Sequence, residues 1–469
     1  MAGYSWQHFW KNFNNTTLDP EGNTLVSPVH TKSEYYLISY YGRLNYSFDS
    51  RYLLTATFRA DASSKFSKSN RWGYFPSAAF AWKINDEPFM KNSEFISNLK
   101  LRLSYGETGQ QDISSDYPYL STYTASYNEA RYRFGNDWLT TYRPDGYDPN
   151  IQWETTATYN LGIDFGFFKD RITGSVDVYK RYTRNLLNEI SVPAGSNFTN
   201  TIYTNIGKMK NEGFEFSFNS IPVSTSDLNW NIGFNFTWNK SEITKLNTID
   251  TEDNYVKTGN ADINSTGRYL QIHKVGETPY TFFLLRQAYD ENGKPVDGEY
   301  LDGNGNTTTS EEDANKYVTG KSALAPYLIG FSTKINYKKW DFGMNGHGSF
   351  GNYVFNYTAA KSSFEDLYSS QGTSSNILAS ALKSGFTQQR LYSDYFLENA
   401  SFFRIDNITA GYTFNKVWNT NINLRLSFTV QNVAVITGYS GIDPEIYSGI
   451  DNNVYQRPRI FLLGINLNF

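Results

Sequence analysis

Cysteine is absent from all 469 residues, so neither a disulfide framework nor a thiolate metal site can be built. That fits a bacterial envelope protein which does not rely on disulfides. Histidine is scarce: His8, His30, His273 and His347 are scattered, with no pair at metal-ligand spacing, which leaves a lumen, interface or loop role for each. No apolar run comes near the ~18 residues a spanning helix needs. No i, i+3, i+4, i+7 pattern is sustained, so helices are expected to be short and few. An excess of one charge is also missing. The net charge of −4 gives no reason to expect a nucleic-acid partner. Nucleophile elbows and phosphate loops are lacking, so an enzyme is not expected. Met1-Ala2-Gly3-Tyr4-Ser5-Trp6 has neither the basic start nor the apolar stretch of a secretory leader. The expectation is a mature product or a piece of a longer protein, and the strand-like N-terminal residues favour the piece.

Aromatic residues and alternation are what the chain has in abundance. Its 37 Tyr and 34 Phe exceed what an ordinary core needs. In 229–239, Trp230, Ile232, Phe234, Phe236 and Trp238 share one strand face, while Asn229, Asn231, Gly233, Asn235, Thr237 and Asn239 share the other. On a tilted strand the two indoles stand roughly 20 Å apart along a barrel axis, close to the height of an outer-membrane apolar band with its aromatic girdles. Lipid outside and a wet lumen inside account for both faces. The same alternation recurs at 159–167, 214–219, 330–337 and 421–431. The chain ends on Phe461, Leu463, Ile465, Leu467 and Phe469, one face closing on an aromatic terminus, as outer-membrane barrels typically do.

The pattern predicts an all-β fold, an antiparallel transmembrane β-barrel occupying 1–469. Strands are expected near 4–12, 34–48, 52–62, 74–84, 98–107, 155–167, 171–184, 206–220, 228–240, 281–289, 326–338, 340–351, 401–414, 421–435 and 457–469. Barrels of this kind put short turns in the periplasm and long loops outside. That segment list is odd in number and would send the long loop 108–154 inward. One more strand near 267–274 restores the parity, giving about sixteen strands.

Several blocks resemble the SusC/RagA-type TonB-dependent transporters of Bacteroidetes outer membranes. Trp153-Glu154-Thr155-Thr156, then Asn160-Leu161-Gly162-Ile163-Asp164-Phe165-Gly166 and Asp170-Arg171-Ile172, are similar to the family's "WE…GlDfg…nRl" block. Asn211-Glu212-Gly213-Phe214-Glu215 resembles its "NkGfE" turn. Ala400 to Thr409 resembles "aSFlRlkNit", and Gln431-Asn432 followed by Gly438 to Glu445 resembles "qNl…tgYsGiDPE". The resemblance implies TonB-dependent uptake of glycan oligomers or peptides, with a SusD-like surface lipoprotein as outer lid and the TonB-ExbB-ExbD complex as energy source. It also implies a signal, an N-terminal domain, a TonB box and a plug, none of which is recognised in this sequence. Plugged transporters have about 22 strands, so the chain reads as the C-terminal part of such a barrel, not expected to form a closed, gated transporter alone. A plug-less porin-like passive channel, a non-functional fragment and a soluble β-rich binding protein are the alternatives.

Candidate sites are few. Among loop aromatics, Tyr117, Tyr119, Tyr123, Tyr127 and Trp138, with Tyr132 and Phe134 between them, and Tyr439 further on, could stack on sugar rings or hydrogen-bond polar cargo. Packing of these rings against one another or against a lid protein explains the same residues. Asp302, Asn304, Asn306 and Asp313 resemble a calcium loop, with Thr307 where glycine belongs and Asp where Glu belongs; a plain polar loop also explains them. No other cofactor is expected. Gly346 to Gly351 matches G-x-G-x-x-G, but its strand-like surroundings point to close backbone approach in a barrel strand rather than a dinucleotide site.

Overall fold

The computed structural model describes residues 3–9, 31–113, 116–125, 131–192, 195, 197–199, 201–246, 255–261, 267–367, 376–417, 422–452 and 454–468. The alternating segments form fourteen antiparallel strands hydrogen-bonded in chain order into one sheet. They are β1 (Gly3–Phe9), β2 (Thr31–Phe48), β3 (Tyr52–Ser63), β4 (Trp72–Lys83), β5 (Ile96–Gln110), β6 (Glu154–Phe167) and β7 (Ile172–Arg184). They continue as β8 (Gly207–Ser224), β9 (Leu228–Leu246), β10 (Tyr327–Tyr337), β11 (Trp340–Phe350), β12 (Phe402–Phe414), β13 (Asn423–Thr437) and β14 (Ile460–Asn468). Among the described residues β1 pairs only with β2 and β14 only with β13, so the sheet keeps two free edges.

The parity argument resolves by subtraction rather than addition. Segment 281–289 splits into Thr281–Leu284 and Arg286–Tyr289, which belong to two small sheets of the loop between β9 and β10. The added segment becomes Tyr269–Lys274, in the same small sheet as Thr281–Leu284. At six and four residues these strands fall short of the ~9–11 a membrane strand needs. With both removed from the barrel, the tight links 49–51, 168–171, 225–227 and 338–339 all lie at one end. Asp49 and Ser50 there adopt positive φ, as do Lys169, Asp170 and Lys338, which lets tight turns join twisted strands. Every long link lies at the other, outer end.

Ring pairs mark the two membrane boundaries. At the turn end Tyr52 stacks on Trp82, and Trp340 meets Tyr412 edge-on with ring centres 4.7 Å apart. At the loop end Tyr105 packs on Tyr159, and Trp238 stands beside Tyr327. Between the belts Leu103, Leu161, Ile163, Val178, Phe428 and Leu463 are exposed, which is the lipid face of a barrel wall. Gly213 shows why a motif glycine is needed. A Cβ there would stand 2.2 Å from Cζ of Tyr179, whose ring lies across it while its hydroxyl donates to Asn239 at 3.1 Å. Gly346 is similar: its Cβ would meet the Arg404 carbonyl oxygen at 2.7 Å, as expected for close approach within a strand.

The tightly buried apolar residues gather in the loops. Leu270, Phe282, Leu284, Phe355, Tyr357, Phe386 and Phe396 form the largest cluster, drawn from the loops after β9 and β11. Phe66, Phe75, Ile113, Ile151 and Trp153 form a second, under the loop after β5. The outer loops therefore fold as a lobe with its own core. No described helix is long and apolar enough to cross a membrane; the crossing is done by strands.

Candidate functional site: lumen wall and outer lobe

The face opposite the lipid side chains is polar. Arg102 on β5 bridges two neighbouring strands, reaching Asp164 on β6 at 2.7 Å and Asp177 on β7 at 2.9 Å. Lys100 also reaches Asp164 at 2.7 Å, and Asn160 donates to Asp177. Near the turn end Arg425 grips Asp341 with two hydrogen bonds of 2.8 and 2.6 Å. Around that pair Asn219, Asn231, Ser332, Lys334 and Thr409 line a hollow of about 490 Å³. Such a wall can hold water and hydrogen-bond polar groups that enter it. Its pairing spreads charge along adjacent strands.

At the outer rim two of the motif blocks meet. Arg404 of β12 is buried, with Nη2 donating to Asp443 at 2.7 Å and Nη1 to Asn432 at 2.8 Å. Glu445 lies 3.4 Å from its Nε. Arg457 closes the ring, 3.4 Å from Asp443 and 2.7 Å from Glu445. His347 of β11 sits beside it, Nδ1 at 2.8 Å from Asp406 and Nε2 at 3.6 Å from Glu445. This network fastens the loop between β13 and β14 to the barrel rim. The motif blocks contain Arg404, Asn432, Asp443 and Glu445, but alternation along a strand carries no sign that they converge.

The predicted aromatic contacts separate into three groups. Tyr119 packs against the cluster under the loop after β5, and Tyr117 meets it edge-on. Tyr123, Tyr132, Phe134 and Trp138 are exposed, the last three on a hairpin of Arg131–Phe134 and Asp137–Thr140, where the Arg133 guanidinium lies 5.8 Å from the Trp138 ring centre. Tyr127 lies outside the described residues, as do His30 and Phe469. Tyr439 is buried beside Val354 and Ala400, and its hydroxyl donates to Asp451 at 2.7 Å. Burial, then that carboxylate, pushes its phenol well above the ordinary range. Tyr439 is thus held inside the lobe. Tyr439→Phe leaves the buried Asp451 carboxylate short of a donor, and a loss of about 1–3 kcal/mol is expected, read as a lower midpoint for protease resistance of the outer loops on heating.

The acidic loop divides between two elements. Asp302 accepts the backbone N–H groups of Asn304 and Asn306, both at 2.8 Å, which holds its carboxyl below the usual range and fixes the turn. Asp313 lies in the short helix Glu311–Ala314, capped by Ser310. Among the described residues no three His, Asp or Glu side chains gather as a metal site. Two desolvated basic side chains complete the lobe's chemistry. Burial lowers His273 to about 4, and burial with Lys257 nearby lowers Lys316 to about 8.

A family model described as TonB dependent receptor-like, β-barrel, matches residues 1–433. The chain is 43% identical to the TonB-dependent receptor SusC of Bacteroides thetaiotaomicron, over all of this chain and 48% of that protein. It is 30% identical to the TonB-dependent receptor P3 of Formosa agariphila, over 96% of this chain and 47% of that one. The chain thus spans about half the length of the curated relatives it matches. The solved RagAB peptide transporter superposes with a TM-score of 0.78 at 25% identity, over 96% of this chain and 49% of that one.

Proposed function

The chain belongs to the TonB dependent receptor-like β-barrel family, and we propose that it is the barrel portion of an outer-membrane nutrient importer for glycan oligomers or peptides. The observation that carries the reading is the pairing of a polar lumen wall with a folded outer lobe seated on its loop end. A passive pore needs a wet lumen but no such lobe. A lobe with its own core suits capture and delivery at the outer mouth. Likeness to a peptide transporter supports peptides, and exposed rings suit sugars equally well. In this reading the whole protein draws energy through TonB-ExbB-ExbD, and a SusD-like lipoprotein covers the lobe. The hairpin carrying Tyr132, Phe134 and Trp138 is its contact with the lid or with cargo.

Deletion of the gene is expected to abolish growth on one class of oligomer, glycan or peptide, while growth on the corresponding monomers persists. Trp138→Ala is expected to cut lid co-purification or cargo affinity about tenfold or more, the effect of losing a central aromatic anchor. Unchanged growth on every oligomer, or a steady open-pore current through the purified protein in a planar bilayer, would instead favour the passive channel.

A further inference from the structure

A four-stranded sheet of the outer lobe, formed by Tyr255–Asn260, Tyr269–Lys274, Thr281–Leu284 and Tyr317–Ser322, has two unlike faces. One is packed. Val256 lies in an apolar cluster with Ile190 and Ile206, and Phe282 and Leu284 lie in the largest core of the lobe. Register gives the composition of the other. Tyr255 stands opposite Lys274, Lys257 opposite Ile272, and Phe283 opposite Val318. Lys316, two residues before Val318, extends the same face. A hollow of about 480 Å³ lies there, lined by Lys257, Lys274 and Lys316 and by no Asp or Glu among the described residues.

Three ammonium groups around one hollow repel one another. Lys316 registers that repulsion: burial, then Lys257, lowers it to about 8, and Glu311 offsets this only in part. Its ammonium rests 3.2 Å from the centre of the Tyr392 ring, an aromatic face in place of a carboxylate. Lys257 is exposed and Lys274 half-buried, and among the described residues neither has an ion-pair partner. The lumen and rim cations differ: Arg102, Arg404 and Arg425 each hold a carboxylate. A cationic concavity of this kind complements an anionic group. The neighbouring rings narrow the class. Tyr255 and Phe283 meet across the strand Tyr269–Lys274 with centres 5.0 Å apart, and Ile272 on that strand is fully buried. A sugar bearing a carboxylate matches both features, its apolar face lying on a ring and its acid meeting the ammonium groups. Charge alone would suit an acidic peptide equally; the ring pair favours the sugar.

We propose that this hollow is a cargo subsite for an acidic oligosaccharide, with Lys257, Lys274 and Lys316 holding its carboxylates and Tyr255 and Phe283 packing on a sugar ring. The assignment rests on the importer reading and narrows its cargo. The test is isothermal titration calorimetry on the protein purified from outer membranes in mild detergent. The probes are tetramers of galacturonate, mannuronate and glucuronate, each beside its carboxyl-reduced neutral counterpart, and tetraglutamate. At least one acid tetramer is expected to bind about tenfold more tightly than its neutral counterpart and than tetraglutamate. Lys257→Gln with Lys274→Gln is expected to weaken that binding about tenfold, the loss of two partly exposed charge pairs. Lys383→Gln, at an exposed position of the helix Ala379–Ser384, is the control expected to bind as wild type. Phe283→Leu keeps the cations and is expected to weaken the acid tetramer severalfold while leaving tetraglutamate unchanged. No binding by any acid tetramer, equal binding of acid and neutral tetramers, or wild-type binding by the folded double variant overturns the subsite and leaves the importer reading standing. Unchanged growth of the gene deletion on every oligomer removes that reading instead. Tetraglutamate bound as tightly as the best sugar gives the hollow to acidic peptides and overturns the sugar class. Asp250, Glu252 and Asp253 precede Tyr255 in sequence, outside the described residues. Binding that emerges only in the Asp250→Asn, Glu252→Gln, Asp253→Asn variant means that the chain's own carboxylates occupy the lysines, and overturns the proposal as well.

Discussion

Replacing Arg404 with methionine is expected to destabilise the outer rim by about 3–5 kcal/mol, the usual consequence of removing one partner from a buried ion pair. The size follows from burial. The Arg404 and Asp443 side chains are 4% and 6% exposed, so water cannot replace what either loses. Without the guanidinium, Asp443 keeps Arg457 at 3.4 Å and the Glu445 backbone N–H at 2.9 Å, and Asn432 loses the donor to its side-chain oxygen. Arg457 is itself half exposed and cannot compensate in full. The loop between β13 and β14 should come away from the rim before the barrel strands separate. Limited proteolysis across 438–459 as temperature rises, compared with whole-barrel unfolding followed by heat-modified gel migration, reads the two events separately. Asp443→Leu should have a similar effect. The Arg404→Met, Asp443→Leu double variant should lose less than the sum, because no unpaired charge remains buried. An Arg404→Met protein whose rim resists protease like wild type would mean that the network is an ornament of the rim and not its fastening.

That network also marks the limit of what alternation conveys. Period two assigns a face to each residue of a long strand, and Trp230 with Trp238 adds depth because both indoles favour the membrane boundary. The barrel strands, the turn end and the lipid face follow from those two facts. Period two does not say which sheet a strand joins. Thr281–Leu284 and Tyr269–Lys274 have strand-like sequences yet lie within the lobe, and only their shortness separates them from barrel strands. Ring chemistry is similarly ambiguous. Tyr439 and Trp138 both read as loop aromatics, but Tyr439 is enclosed by Val354 and Ala400 while Trp138 projects from a hairpin. Enclosure depends on contacts between loops far apart in sequence, and no local pattern records them. Asp302 is ambiguous for the opposite reason. Its oxygens are satisfied two and four residues away by Asn304 and Asn306, so the spacing that suggests a metal also makes an ordinary turn.

The assignment of faces itself has a sharp consequence. Phe234 lies midway between Trp230 and Trp238 on β9, and pairs with Phe218 on one side and Phe331 on the other. It therefore sits near the centre of the hydrocarbon layer on the lipid side. Asn235 is the next residue, opposite Ser217 and Gly330 on the wet side. Phe234→Arg should cost about 2–4 kcal/mol, the penalty for a cation at the midplane of a barrel's lipid face. Asn235→Arg, one residue along the same strand, should cost close to nothing, since its guanidinium reaches lumen water and neighbouring polar groups. Urea unfolding of the two variants in lipid vesicles measures both values. The comparison isolates orientation, because strand, residue introduced and depth are nearly the same in the two proteins. Equal penalties would mean that β9 does not separate lipid from water. A larger penalty for Asn235→Arg would turn the barrel inside out, placing the asparagines against lipid and the tryptophans in the lumen.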